Sequence, residues 1–309
     1  MHPFRFGITA SRVPSGISWT NLARRAEALG YASFSMPDHL GDQMSPVGGL
    51  AAAAAVTQRM RIVALVFAND YRHPLLLARE TATLDVISNG RADLGIGAGW
   101  NTRDYRQLGM PYDPAPQRID RMLESLRLMK RLLAGKRVTS DGPWYHLRDA
   151  SLHPRPIQSR LPVLIGGGGP RMLRIAAREA DIVGLLPQFS AHGRPIVSQG
   201  TERETVRKVA IVREAAGSQE AFERLELQVL VGDAGLIGSG SSPVRSAFAG
   251  LKAAGPALVG GSPYVLYGTL GQVRETLLRR RERLGISYYT WSSRHMEEMA
   301  PVVEALAGS

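Results

Sequence analysis

Four short clusters in this chain place proton-moving or anion-holding groups beside backbone that a ligand can approach. Ser35-Met36-Pro37-Asp38-His39 sets a carboxylate next to an imidazole. The histidine can carry a proton near neutral pH, and Asp38 can orient it or touch a ligand. The plainer alternative is a turn in which Asp38 caps a helix and His39 is idle. Leu65-Val66-Phe67 leads to Asn69, Asp70, Tyr71, Arg72 and His73, where Arg72 and His73 could equally open a helix with Pro74 in its first turn. Asp93-Leu94-Gly95-Ile96-Gly97-Ala98-Gly99-Trp100-Asn101 alternates glycine with apolar residues. In a strand this strips one face bare at Gly95, Gly97 and Gly99, so either a flat ligand or a neighbouring strand can come close there. Val163-Leu164-Ile165 runs into Gly166-Gly167-Gly168-Gly169-Pro170, with Arg171 following. Glycine N–H groups, a proline pre-set for the first helical position and the helix dipole together offer a phosphate cradle, although plain tight turns use the same residues.

Such clusters need a frame that brings strand ends together. Strand-like and helix-like segments alternate through the chain, an order that argues for parallel strands joined by helices. Eight strands are expected over residues 4–10, 32–37, 62–67, 92–97, 162–166, 182–186, 225–232 and 287–291. Ser18 is a plausible cap for a first helix carrying Trp19, Leu22, Ala23, Ala26 and Leu29 at helical spacing, with Gly30 stopping it. A second helix over residues 118–133 puts Ile119, Met122, Leu126 and Met129 on one stripe, which makes those methionines core. Eight such units fit a (β/α)8 TIM barrel, typically about 250 residues. Residues 1–309 then form a single domain whose surplus sits in insertion loops at the C-terminal rim, over residues 139–161, 187–200 and 232–261. The second and third of these would wall a substrate pocket. A doubly wound open sheet would carry its phosphate glycines after the first strand, whereas here they follow the fifth. All four clusters fall at C-terminal strand ends, where barrels of this kind do their chemistry.

Composition narrows the field. There is no cysteine, which removes disulfides, thiolate metal ligands and a cysteine nucleophile. The seven histidines form no close helical pair with a neighbouring glutamate, so no metal is expected, and no Gly-x-Ser-x-Gly elbow follows a buried strand. The net charge of +11 would draw an anionic partner, nucleic acid included. Yet the arginines are scattered without interleaved aromatics, and the densest run, Arg279-Arg280-Arg281 with Arg283, reads as a solvated helix face. Met1-His2-Pro3 passes straight into strand-like sequence, and the apolar stretch over residues 50–56 is too short to cross a bilayer. A cytoplasmic protein is expected.

Taken in order, Pro37-Asp38-His39, Arg72-His73-Pro74, Leu84-Asp85 with residues 88–91, Gly95 to Trp100, Gly166 to Gly169 and Ala180-Asp181 resemble the luciferase-like flavin and deazaflavin oxidoreductase superfamily. The chain looks most like the branch that uses the 8-hydroxy-5-deazaflavin coenzyme F420. The resemblance implies a (β/α)8 barrel with the coenzyme at its mouth and a non-prolyl cis peptide at Leu65-Val66 bulging under the tricyclic ring. Asp38 and His39 would flank the ring, and His39 would give or take the substrate proton. Ala98 and Gly99 would approach the phosphate through their backbone, Gly167, Gly168 and Gly169 would complete its cradle, and Asn69 and Arg103 would join the cofactor contacts. Related sugar-phosphate dehydrogenases carry a glutamate where Trp100 stands. An indole offers stacking area and one donor but no acid, which points to a flatter or more apolar substrate.

Arginine outnumbers lysine 34 to 4, a bias of high-GC actinobacterial genomes in which this coenzyme is common. Its polyglutamate tail would also suit a basic mouth. FMN offers a similar ring, ribityl chain and phosphate. The expected activity is therefore hydride transfer between the deazaflavin C5 and a small organic substrate, reducing a C=C or C=N bond or running in reverse. An FMN-dependent monooxygenase is the alternative, and a basic nucleic-acid-binding barrel is a third reading. The expected partners are a small-molecule substrate and a second copy of the chain, with neither nucleic acid nor membrane.

Overall fold

Each strand of the barrel is followed by a helix that returns the chain to the same end, so successive strands run parallel and the last can meet the first. The computed structural model describes residues 1–12, 16–188, 196–237 and 261–309. Its elements run β1 (Arg5–Thr9), α1 (Trp19–Ala28), β2 (Ser33–Met36), α2 (Pro46–Ala55), β3 (Arg61–Ala64), β4 (Phe67–Ala68), α3 (Pro74–Ile87) and β5 (Ala92–Gly97). Then come α4 (Thr102–Gln107), α5 (Ala115–Leu133), β6 (Val138–Asp141), β7 (His146–Ala150), β8 (Val163–Gly167), α6 (Pro170–Glu179) and β9 (Ile182–Leu185). The remainder is α7 (Glu202–Ala216), α8 (Gln219–Glu223), β10 (Glu226–Val231), β11 (Asp233–Leu236), β12 (Val265–Gly268), α9 (Leu270–Leu284), β13 (Ile286–Ser292) and α10 (Ala300–Leu306). The capping logic is local. Ser18 accepts from the Asn21 N–H at the start of α1, and Thr269 and Gln272 form a capping box on α9.

The barrel order is β1, β2, β3 with β4, β5, β8, β9, β10 and β13, closed by parallel pairing of β13 with β1. These are eight staves, and they match the eight expected strands to within a residue or two at most ends. The third differs: it is split, with the Leu65-Val66 cis peptide between β3 and β4, where the resemblance put it. The excursion over residues 139–161 holds an antiparallel hairpin, β6 with β7, and β11 pairs with β12 beside the seventh stave. His192, Gly193 and Pro195 of the second excursion, and residues 238–260 of the third, lie outside the described residues.

The bare face of β5 is taken up by the protein itself. A Cβ on Gly95 would overlap the Ala64 carbonyl oxygen, one on Gly97 would sit 2.8 Å from Val66 Cγ2, and one on Gly99 would overlap the Tyr105 hydroxyl. Gly95 and Gly97 therefore make room for the split stave next door, and Gly99 for Tyr105 of α4. At the opposite end the barrel is closed by charge: Arg5 pairs with Glu226 and lies 4.4 Å over the Tyr288 ring, and Arg61 pairs with Asp93. That leaves the C-terminal rim as the open end. Among the described residues no helix is long and apolar enough to cross a membrane.

Candidate active site

A cavity of about 680 Å³ opens at the rim. Its lining draws on six of the eight staves: Pro37, Asp38 and His39 after β2, Leu65 and Val66 at the split, Gly97 to Trp100 at the end of β5, Gly166 to Gly169 at the end of β8, Leu186 after β9, and Gln228 and Leu230 from β10. The size and the predominantly apolar wall with a few polar groups suit a cofactor-sized ligand.

His39 is held by a carboxylate distant in sequence. Its Nδ1 lies 2.7 Å from Asp104 Oδ2, and Asp104 is only 1% exposed. The same oxygen accepts from Asn101 Nδ2 at 3.0 Å and from the Tyr71 hydroxyl at 3.2 Å. Burial, reinforced by the Asp104 charge, pushes the Tyr71 hydroxyl well above the usual tyrosine range, so it stays a donor. With Nδ1–H donated to Asp104, Nε2 is the ring atom left to exchange a proton. The Trp100 indole meets the imidazole edge to face, centroids 5.1 Å apart.

Asp38 also lines the cavity, but its carboxylate is already engaged. It accepts from both terminal nitrogens of Arg72, at 2.6 and 3.1 Å, and from the Ala68 N–H at 3.0 Å. It thereby ties the end of β2 to the strand fragment beyond the split. His73 takes the helix-opening alternative: its Nδ1 accepts from the Leu75 N–H at 3.2 Å, with Pro74 in the first turn of α3. Asp70 is braced behind the wall by Arg121 and by the Tyr105 hydroxyl at 2.7 Å.

Two helix starts converge on the cavity without a side-chain cap, α5 after Pro114 and α6 after Gly169. A Cβ on Gly169 would meet nothing within 4 Å, whereas one on Gly168 would overlap the Leu186 carbonyl oxygen. Space and uncapped N–H groups thus coincide at the start of α6, as an oxyanion site requires. Arg171 does not point into this cradle. It pairs with Asp120 and donates to the Pro116 carbonyl at 3.1 Å, docking α6 on α5. Its charge near the helix start is therefore answered within the protein.

A family profile described as luciferase-like monooxygenase matches residues 8–221. The chain belongs to that family. Among its curated relatives is the F420-dependent glucose-6-phosphate dehydrogenase of Microbacterium testaceum, 35% identical over 188 residues, which are 58% of this chain and 55% of the relative. The chain thus spans about half the length of that relative. Among solved structures, the coenzyme F420-dependent tetrahydromethanopterin reductase of Methanopyrus kandleri superposes with a TM-score of 0.76 at 19% identity, covering 98% of this chain and 99% of that one. A monooxygenase of Streptomyces bottropensis superposes with a TM-score of 0.74 at 23% identity, covering 97% and 99%. At those identities the two structures establish the luciferase-like barrel fold.

Within this luciferase-like barrel the structure brings together Asp38, His39, Leu65, Val66, Ala98, Gly99, Trp100, Gly167, Gly168 and Gly169 around one cavity. Asn69 and Arg103, expected among the cofactor contacts, do not line it. Asn69 is buried with its amide donated to the Tyr145 hydroxyl of the hairpin at 3.0 Å, and Arg103 is exposed on the first turn of α4. Three residues of the site had no part in the sequence reading. Asp104 orients His39. Arg118, only 5% exposed, donates to the Ala98, Gly99 and Asp113 carbonyls and so pins the end of β5 to the start of α5. Gln228 faces the cavity from β10. The only hint in the sequence was a polar residue inside the apolar run Leu227-Gln228-Val229-Leu230.

Proposed function

We propose that the chain is a coenzyme F420-dependent oxidoreductase acting on a small organic substrate with a flat or apolar reacting part. The observation that carries this reading is the joining, in one cavity, of an oriented proton carrier at His39, a wall split at Leu65-Val66, and an open, uncapped helix start behind Gly167 to Gly169. The relative named as F420-dependent supports the choice of cofactor. The cavity fits such a group: Gly169 leaves space where a phosphate would meet the α6 N–H groups, and apolar Leu65, Val66, Met172 and Leu186 offer a surface for a ring. When bound, the deazaflavin gives or takes a hydride at C5.

The chain's own residues do the rest. The backbone at Ala98, Gly99 and Gly167 to Gly169 binds the anionic handle. Leu65 and Val66 support the ring, and Asp38 holds that support in place through Arg72 and Ala68. His39 gives the substrate a proton from Nε2 during reduction, or takes one during dehydrogenation, while Asp104 keeps the proton on Nδ1. Trp100 fixes the imidazole edge and presents an apolar surface to the substrate. The apolar wall keeps water from competing for that proton. Trp100, where the resemblance places a glutamate in sugar-phosphate dehydrogenases, speaks for a C=C or C=N bond over a sugar phosphate. The enzyme is taken to work in the cytoplasm as a homodimer in which each copy is a single barrel domain. The exposed Leu76, Val86 and Ile87 on α3, with the exposed Ile157 near the end of that helix, support pairing through helical faces.

Titration of purified protein with F420 and, separately, with FMN tests the reading through quenching of each cofactor's fluorescence. Saturable quenching of F420 with little response from FMN is expected. Tight FMN binding with oxygen consumption, and no F420 binding, would make the protein an FMN-dependent monooxygenase.

A further inference from the structure

We propose that Gln228 selects the substrate by receiving an uncharged hydrogen-bonding group, a carbonyl, lactam or hydroxyl, at the floor of the cavity. Gln228 lines the cavity although its residue is 0% exposed, and neither Oε1 nor Nε2 has a hydrogen-bond partner among the described residues. A buried carboxamide with both ends unpaired destabilises a fold, so its presence calls for an explanation. Room around it is left by Gly184 on the adjoining β9, where a Cβ would stand 3.3 Å from Oε1.

Its position in the barrel decides which ligand it meets. The split stave is third in the closed order and β10 is seventh, so the two face each other across the mouth. This inference rests on the proposed cofactor reading: a ring held on Leu65 and Val66 would leave β10 on the opposite side of the mouth, and Gln228 would then stand on the substrate's side. A carboxamide supplies one acceptor and two donors without charge. Among the described residues, those that line the cavity around it from β8, β9 and β10, namely Gly166, Gly184, Leu186 and Leu230, carry no charge, so an ionised group would meet no counter-charge from them, whereas a carbonyl, lactam or hydroxyl would be satisfied. Leu230 and Leu186 beside it extend an apolar wall. The substrate class is therefore an apolar body carrying one uncharged polar function at its deep end.

The test compares the wild type with Gln228→Met, a change that keeps the length of the side chain and removes its hydrogen bonds. Binding of cyclohexanone, 2-piperidone and cyclohexane to F420-loaded protein is read by saturation-transfer NMR, and F420 affinity by fluorescence quenching. The wild type should hold the two polar probes at least about tenfold more tightly than cyclohexane, and Gln228→Met should narrow that gap to about twofold. The variant should bind F420 as the wild type does and melt at the same temperature or higher, since an unpaired buried amide is gone. A wild type without the preference, or a variant that keeps it, overturns the assignment. So does weaker F420 binding in Gln228→Met, which would move Gln228 to the cofactor's edge, or a clear fall in melting temperature, which would make it structural. Protein that takes up no F420 in either form overturns the cofactor reading itself, and the placement with it.

Discussion

At His39 one buried carboxylate decides which ring nitrogen can do chemistry. Because Asp104 accepts from Nδ1 and is itself held by Tyr71 and Asn101, the imidazole is fixed in orientation before any substrate arrives. Replacing His39 with alanine should lower kcat by roughly 10²-fold or more, the usual worth of a positioned proton carrier, while F420 affinity stays within about twofold. Steady-state turnover alongside fluorescence titration checks this, and unchanged turnover would remove His39 from the mechanism. Asp104→Asn should lower kcat less, about tenfold, since the imidazole loses the carboxylate that fixes its orientation and keeps the proton on Nδ1. Steady-state turnover checks this as well, and an unchanged kcat would reduce Asp104 to packing. The place of His39 at the cavity was legible in the sequence because it sits next to Pro37 and Asp38 at a strand end. Asp104 was not, because the pair is 65 residues apart and only the closed barrel brings it together. Gln228 was hidden for a similar reason: which face of β10 looks inward, and whether anything answers its amide, depends on the neighbouring staves.

At the scale of strands and helices most of the barrel could be read directly, since hydrophobic runs, caps and stop glycines are local. What could not be read was the meaning of the glycine alternation in β5. The sequence allowed a close ligand or a close neighbour, and the choice depends on how the adjoining stave is split at Leu65-Val66. The structure makes two glycine substitutions diverge. Gly95→Ala drives a methyl onto the Ala64 carbonyl, a backbone atom that cannot turn aside, and should cost about 3 kcal/mol or more. Gly169→Ala adds a methyl where nothing lies within 4 Å, at an ordinary φ of −86°, and should leave stability within about 0.5 kcal/mol. Urea midpoints of the two variants check this, and similar midpoints would mean that β5 has more room than the packing shows. The Leu84-Asp85 motif proves to be a brace. The Asp85 carboxylate accepts from the Ile157 and Gln158 N–H groups at 2.7 and 3.0 Å and from the Gln158 side chain at 2.6 Å, anchoring the chain as it returns from the hairpin excursion. Asp85→Ala leaves those donors unanswered and should lower stability by about 3 kcal/mol with little effect on cofactor affinity in the folded fraction.

Across the whole molecule the surplus of +11 charges is largely a matter of solvated faces, and many arginines serve as internal cross-links, as Arg5, Arg61, Arg72, Arg118 and Arg121 do. A buried lysine adds its own pH dependence to global stability. Lys208 on α7 is 0% exposed, and its Nζ donates to the Leu186 and Gln199 carbonyls, each at 2.9 Å, so it clasps the two ends of the excursion after the sixth stave. Burial pushes its pKa down from 10.5 to about 8; Glu204 raises it slightly and Arg207 lowers it. Below about pH 8 the lysine is protonated whether the chain is folded or unfolded, and its contribution does not change. Between about 8 and 10.5 the folded protein has released a proton that the unfolded chain still holds, so raising the pH favours the fold. The neutral amine keeps two N–H donors for the two carbonyls, and the clasp survives the titration. Measured against Lys208→Met, which lacks the titrating group, the wild type should therefore gain about 2 kcal/mol of relative stability between pH 7.5 and 9.5. Urea unfolding of both proteins at the two pH values reads the difference directly, and stabilities that move in parallel would show that the buried ammonium keeps its proton throughout.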